Sequence, residues 1–290
     1  MRIRDFGGYK LQEVIGGGMY TKVYKAQSFL AKSPHGQTAA IKILNIKGQS
    51  SENRKLVAQF EREAVIAMAL SHPNVVKVHN FGKYNNQYAI IMEYVDGSNF
   101  KEALYKPEKL PLGVLLNICD EAGKGLAYIH RNNIVHKDVK PDNILVSEDF
   151  KTVKITDFGI AKLPKKIWHK DFFPKSGTIT KFGIVSYIAP EQKEGRAGFC
   201  SDIYSFGITM DEVITAKLLI EGSPGKNSED YFKRMDVRSY RKKTGKQDIL
   251  CSDLPVPGAL KNIIARATNL NCQFRYNNME QLLSELELLL

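Results

Sequence analysis

His136-Lys137-Asp138-Val139-Lys140-Pro141-Asp142-Asn143 is the stretch on which the reading of this chain turns. It sets a carboxylate, Asp138, and an amide, Asn143, on one polar loop, with the cation Lys140 between them. Such a loop lets one group orient a hydroxyl while another binds a metal ion. Further on, Val153-Lys154-Ile155 reads as a short strand that delivers a second carboxylate, Asp157, into the turn Asp157-Phe158-Gly159. An Asp-Phe-Gly triplet alone is ordinary turn chemistry. Its order after the first loop, rather than the triplet itself, is what excludes accident.

Working outward toward the N-terminus, Tyr9 to Val14, Val23 to Ser28 and Thr38 to Leu44 are β-rich runs, broken by Gly16, Gly17 and Gly18 and by Ser33-Pro34-His35-Gly36. The glycines allow the backbone to approach phosphate oxygens and present N–H groups to them, although a tight hairpin would use them equally well. Strands on both sides argue against a dinucleotide-binding fold, which needs a helix after the loop. Lys42 ends an apolar strand, where a lysine ordinarily reaches out to water. Leu56, Phe60, Ala64, Ala67 and Met68 then recur at helical spacing. Glu63 sits beside that apolar face, where it could pair with Lys42 and fix its ammonium toward a phosphate, or stand as an ordinary solvated helix charge. Val75 to Phe81 and Tyr88 to Tyr94 complete the strands, and Asp96-Gly97-Ser98 marks the change to helices.

Toward the C-terminus, Pro111 opens a helix whose apolar face is Leu112, Leu115, Leu116, Cys119, Ala122, Leu126 and Ile129. β-like pieces at Ile134-Val135, Ile144 to Val146 and Val153 to Ile155 precede a long irregular stretch ending near Pro190. Helical patterns return at Asp202 to Ala216, Leu260 to Thr268 and from Met279 to the end. The expected class is therefore α+β: a small antiparallel-sheet lobe with one helix, residues 1–94, and a larger, mainly helical lobe, residues 95–290. Ligands favour the cleft between two such parts.

Composition sets the outer limits. Among 290 residues 43% are apolar and 25% charged, which excludes disordered and collagenous chains. No apolar run reaches the roughly 18 residues that span a bilayer, and MRIRDFGGYK lacks a secretory pattern. Forty-two Lys+Arg against 31 Asp+Glu give a formal charge of +11. The cations cluster around Lys162 to Lys175 and Lys233 to Lys243 without interleaved aromatics, so a nucleic-acid partner is not expected. Cys119, Cys200, Cys251 and Cys272 lie far apart with no C-x-x-C pair, and the expectation is reduced thiols in a cytoplasmic compartment. The apolar last residues, Glu285 to Leu290, suggest a domain cut from a longer protein.

Gly-rich hairpin, Ala39-Ala40-Ile41-Lys42, Glu63, His136-Lys137-Asp138 with Asn143, Asp157-Phe158-Gly159 and Ala189-Pro190-Glu191 follow one another in this order. From about Tyr9 to Leu290 the chain thereby resembles the eukaryotic-type (Hanks-type) serine/threonine protein kinase catalytic domains. The compact inserts and Ser71-His72-Pro73-Asn74-Val75-Val76 look more like bacterial members. The resemblance implies a bilobal fold, ATP as phosphoryl donor, Mg²⁺ (with Mn²⁺ as an alternative) and protein substrates. Gly16, Gly17 and Gly18 would then cover the phosphates. Val23 and Ala40 would roof the adenine and Leu145 floor it. Glu93 and Val95 would bind it through their main chains, with Met92 behind. Lys42 would hold phosphate oxygens, oriented by Glu63, while Asn143 and Asp157 bind metal. Asp138 would be the catalytic base, and Lys140 would neutralise the transferred group. Asp202 would anchor the catalytic loop, and Arg275 would pair with Glu191.

Lys140, two residues after Asp138, resembles the serine/threonine branch. Three positions depart from the family pattern: Thr21 for a third glycine, Lys137 for an arginine, and Ile184 for a threonine near the catalytic base. The alternatives are a nucleotide-binding pseudokinase scaffold and a small-molecule phosphotransferase. Ser176, Thr178 and Thr180 lie among lysines between Asp157 and Glu191. They are the expected phosphorylation sites, modified by self-association and transfer between copies.

Overall fold

Strand β3 (Thr38–Leu44) shows how the sheet places its lysine. Its side chains alternate between the two faces. Ala39, Ile41 and Ile43 join Phe6, Tyr9, Ala26, Ala89 and Ile91 in a small core on one face. Ala40 and Leu44 enter the main core on the other. Lys42, in phase with Ala40 and Leu44, therefore points where an apolar residue would be expected.

The computed structural model describes residues 6–29, 37–46, 48, 50–104, 110–158, 187–221 and 255–290. β1 (Tyr9–Gly17), β2 (Thr21–Ser28), β3, β4 (Val78–Tyr84) and β5 (Gln87–Glu93) form an antiparallel sheet in the order β1-β2-β3-β5-β4. Helix α1 (Ser51–Met68) covers it; the Ser50 side chain caps the helix by accepting from the Asn53 amide at 3.1 Å. Phe60, Glu63, Ala64, Ile66 and Ala67 are its buried residues, so Glu63 lies on the buried stripe itself rather than beside it.

β6 (Gly97–Asn99), β7 (Ile144–Ser147) and β8 (Val153–Ile155) make a second small sheet. The short α2 (Phe100–Ala103) and α3 (Leu112–Arg131) pack against it, and the short α4 (Pro190–Lys193), α5 (Phe199–Glu221), α6 (Gly258–Ala267) and α7 (Met279–Leu286) build outward from α3. Leu115, Leu116, Cys119, Ala122, Leu126 and Ile129 are all buried on α3, as its periodicity predicts.

Several boundaries differ from the sequence reading. β1 continues through Gly17 and β2 begins at Thr21, because the antiparallel ladder propagates through the glycines with two irregularities in register. The run expected as a strand from Val75 is divided. Val75 bridges Ile155 and the Val76 amide donates to the Ile155 carbonyl at 2.9 Å, while the strand proper starts at Val78. That division ties the connector after α1 to β8. Ile134 is a core residue outside any strand.

The cysteine expectation is corrected. Cys200, in the first turn of α5, is disulfide-bonded to Cys272, with Cα atoms 6.0 Å apart. Sequence spacing of 72 residues carries no information about this contact, which arises from tertiary packing alone. Cys119 is free and buried, and burial pushes its thiol up to about 12. Among the described residues no helix is long and apolar enough to cross a membrane.

Gly125 allows α3 to approach the connector: a Cβ there would lie 2.4 Å from the Asn74 carbonyl oxygen. Asn74 is itself fixed, donating to the Val153 carbonyl at 3.0 Å and accepting from the Ile155 amide at 2.9 Å. Gly125→Ala should therefore destabilise the fold by about 1–3 kcal/mol in a denaturant titration, although helix propensity favours alanine by up to ~1 kcal/mol. An unchanged midpoint would mean that the connector yields.

Candidate active site

The Lys42 ammonium lies 2.6 Å from Glu63 Oε1 and 3.0 Å from Asp157 Oδ1. Three charges from β3, α1 and the end of β8 thus meet at one point. Burial works to lower the lysine, but Glu63 and Asp157 outweigh it and hold the ammonium above its ordinary value. Burial also pushes the Glu63 carboxyl up to about 7 against the pull of Lys42. Asp157 stays below its ordinary value: burial opposes this, and Lys42, then His136 and Lys140, prevail. Beside the cluster lies a cavity of about 230 Å³, lined among others by Met19, Tyr20, Thr21, Leu56 and Phe60.

The roof over this point is the β1–β2 hairpin. Gly17 has φ +148°, and a Cβ there would stand 2.5 Å from the Thr21 carbonyl oxygen, so the turn requires glycine. The Gly18 amide donates to that same carbonyl at 2.9 Å. Val23 faces Lys42 across the β2–β3 ladder, and Ala40 faces Met92 across β3–β5. Leu145, on β7, packs against the main core. Glu93 ends β5, its amide donating to the Lys77 carbonyl at 2.9 Å and its carboxylate held by Lys154 at 3.0 Å. Val95, just beyond, makes no hydrogen bond among the described residues, which leaves its main-chain groups available.

The floor is the loop from His136 to Asn143, held from below. Asp202 is fully buried and accepts from the His136 amide at 2.8 Å and the Lys137 amide at 2.7 Å, with the His130 ring at 2.9 Å. These bonds oppose local strain, since Lys137 has φ +69°, a left-handed value costing of order 1–2 kcal/mol for a side-chain-bearing residue. Asp157 shares that value of φ. His136 joins the two strained positions. Its Nδ1 accepts from the Asp138 amide at 3.3 Å, which makes Nε2 the donor to the Thr156 carbonyl at 3.1 Å. The Phe158 ring packs 5.2 Å from its own.

Within the loop, Asp138 Oδ2 accepts from Lys140 Nζ at 2.7 Å and from Asn143 Nδ2 at 2.9 Å. Asn143 Nδ2 also donates to the Asp138 carbonyl at 2.7 Å, so its own Oδ1 is left to take a cation. Asp157 and that amide oxygen are hard oxygen donors of the kind Mg²⁺ prefers. The donor set fits a divalent metal.

A second node secures the loop's far side. Arg275, 2% exposed, grips Glu191 with two bonds, 2.7 and 3.0 Å, and donates to the Cys200 carbonyl at 2.8 Å. Ser201 Oγ donates to Glu191 at 2.7 Å. The neighbouring Gln192 Nε2 donates to the Lys137 carbonyl at 3.0 Å. Tyr187 OH donates to Glu212, and Ser205 Oγ donates to the Tyr187 carbonyl at 2.6 Å.

Gln192 and His130 were missed by the sequence reading. His130 could have been found, since a polar residue on the buried stripe of α3 needs a partner. Gly159, Ser176, Thr178, Thr180, Ile184 and the basic clusters at Lys162 to Lys175 and Lys233 to Lys243 lie outside the described residues.

A five-stranded antiparallel sheet with one covering helix, joined to a helical part across a cleft that holds a paired lysine and two loop carboxylates, is the protein-kinase fold. The chain belongs to the protein kinase domain family, which matches residues 9–286. It is 31% identical over 279 residues to the probable serine/threonine-protein kinase PknB of Lactococcus lactis, covering 96% of this chain and 41% of that protein. It is 32% identical over 289 residues to serine/threonine-protein kinase PrkC of Bacillus subtilis, covering 98% and 41%. It is thus a Hanks-type kinase domain of the bacterial serine/threonine class, and it spans about two fifths of the length of these curated relatives. The crystal structure of the Mycobacterium tuberculosis PknI kinase domain shares its fold, with a TM-score of 0.67 at 23% identity over 99% of this chain and 98% of that one. The family uses ATP and a divalent metal and acts on proteins.

Proposed function

We propose that this chain transfers the γ-phosphoryl group of ATP to serine and threonine hydroxyls of proteins, itself included, in the cytoplasm where ATP is held. The observation that carries this reading is the Lys42 ammonium bridging Glu63 and Asp157 beneath the glycine hairpin. Lys42 binds phosphate oxygens with Glu63 fixing its position, and Gly16, Gly17 and Gly18 close over them. Val23, Ala40 and Leu145 enclose the base, while Glu93 and Val95 bind its edge. Asn143 and Asp157 hold Mg²⁺, or Mn²⁺ in its place, which when bound neutralises phosphate charge. Asp138 orients the acceptor hydroxyl and takes its proton, and Lys140 offsets charge on the transferred group. In this reading residues 1–94 and 95–290 are the two lobes of one domain.

The deciding experiment measures ATP binding with and without Mg²⁺, then radiolabel transfer to the chain itself and to a generic basic protein. Metal-dependent binding with transfer to protein is expected. Binding without transfer would mark a scaffold, and transfer to small hydroxyl compounds alone would mark a small-molecule phosphotransferase.

Control is assigned to Ser176, Thr178 and Thr180, where a phosphate would gain charge-assisted contacts from nearby lysines. Transfer between two associated copies is expected to modify Thr178 or Thr180 and raise the rate about tenfold, or ~1.4 kcal/mol of barrier. Mass spectrometry after ATP incubation, set against the rates of the Thr178→Ala/Thr180→Ala double variant, checks this. An unmodified stretch, or equal rates, ends the assignment.

A further inference from the structure

We propose that Cys200 and Cys272 form a reversible redox modification site, a dithiol–disulfide pair that locks the first turn of α5 to the loop carrying Arg275. Their Cα atoms are 6.0 Å apart, inside the range of about 4.4–6.8 Å that a disulfide spans. That separation has a support of its own. Arg275, three residues beyond Cys272, donates to the Cys200 carbonyl and to both oxygens of Glu191, and also to the Asn269 carbonyl at 2.6 Å and the Leu270 carbonyl at 3.2 Å. The buried guanidinium thus holds the two cysteine backbones together whether or not the sulfurs are joined. A reducing compartment would open the bond that the structure shows and leave a dithiol already placed to re-form it.

Both cysteines are half-buried, so a small oxidant reaches them, whereas Cys119 is enclosed. Cys200 is the first nucleophile in this scheme: it stands in the first turn of a 23-residue helix, whose N-terminal end favours a thiolate, against the pull of the Glu191 carboxylate 3.6 Å from its sulfur. With hydrogen peroxide as oxidant, the Cys200 thiolate attacks one oxygen, the O–O bond breaks, and the departing hydroxide leaves as water on protonation. The Cys272 thiolate then attacks the sulfenic sulfur; the S–S bond forms, the S–O bond breaks, and a second water leaves. Two thiols and one peroxide give one disulfide and two waters. A dithiol reductant reverses the change by successive thiolate attacks.

Glu191 lies in the same cluster, its carboxylate and both sulfurs within 4.8 Å of one another. A divalent cation there would face the guanidinium that already takes both Glu191 oxygens, so the cluster favours redox over metal chemistry. Oxidation closes a loop of 72 residues and fixes the turn that carries Asp202, the support of the catalytic loop. Restricting so long a loop in the unfolded chain should raise the melting temperature by about 5–10 °C.

The test uses the whole 290-residue chain, reduced with dithiothreitol, desalted and exposed to hydrogen peroxide. Loss of two thiols, a peptide joining Cys200 to Cys272, and a higher melting temperature reversed by dithiothreitol are expected. Cys200→Ser and Cys272→Ser should each remove the shift while melting, in reductant, with the reduced wild type. Should a serine variant not fold, the wild type is titrated across ratios of oxidised to reduced dithiothreitol. Its melting temperature should then rise in step with the joined peptide. Thiols that stay free, a joined peptide without a melting change, or stoichiometric zinc retained by the reduced chain after dialysis would each overturn the proposal.

Discussion

Asp157→Asn and Lys42→Met are each expected to reduce phosphoryl transfer by at least about 10³-fold, equivalent to ~4 kcal/mol of barrier. They should do so by separate routes. Asp157 is a half-buried carboxylate whose ion-pair partner among the described residues is Lys42, at 3.0 Å. Removing its charge spares the Lys42–Glu63 contact and weakens the metal site, so ATP should still bind but lose its response to Mg²⁺. Lys42→Met removes the cation from Glu63, a residue buried on α1. Breaking a buried pair by removing one partner costs about 3–5 kcal/mol unless the remaining group becomes neutral. Burial already pushes the Glu63 carboxyl up, so taking a proton offsets part of that cost. A Lys42→Met/Glu63→Gln double variant should therefore recover most of the lost stability and none of the transfer. Measurable transfer by the double variant would remove Lys42 from the chemistry. A titration showing the same Mg²⁺ dependence in Asp157→Asn as in the wild type would remove Asp157 from the metal site.

Why the lysine–glutamate pair was legible, and the cysteine pair was not, follows from the periods involved. Lys42 is two residues from both Ala40 and Leu44, and a strand's period of two puts all three on one face. Glu63 is three residues after Phe60 and four before Ala67, which places it on the buried stripe of a helix. Each position is fixed locally, and the two faces meet because the helix must cover the sheet. Cys200 and Cys272 come together only through the packing of α5 against the loop that holds Arg275, which no local period encodes. Similarly, the run from Val75 onward carries the apolar character of a strand, but two partners compete for it. Val75 and Val76 pair with Ile155, and the sheet proper begins at Val78. The loop from His136 to Asn143 stood out in the sequence for a different reason: its residue types are ones that chemistry rather than packing selects. Its supports, His130 and Gln192, are chosen by burial and geometry.

Asp138→Asn should lower turnover by about 10²–10⁴-fold while leaving ATP affinity within a factor of about two, the range expected when a positioned base is removed. The carboxylate stands in the loop, not in the cavity that borders Lys42. Its Oδ2 accepts from Lys140 and Asn143 at 2.7 and 2.9 Å. An amide of the same shape keeps an acceptor oxygen for those donors, and the Asp202 bonds to the His136 and Lys137 amides are untouched, so the fold should hold. What is lost is the ability to take a proton from the acceptor hydroxyl, an interaction made only as transfer proceeds. The split between binding and turnover is the decisive measurement, because a structural role would move both. Single-turnover rates with ATP held above its dissociation constant, together with a direct ATP titration, separate the two. Equal rates for variant and wild type, or an ATP affinity that falls as far as the rate does, would show that Asp138 acts through the shape of the loop and not as the base.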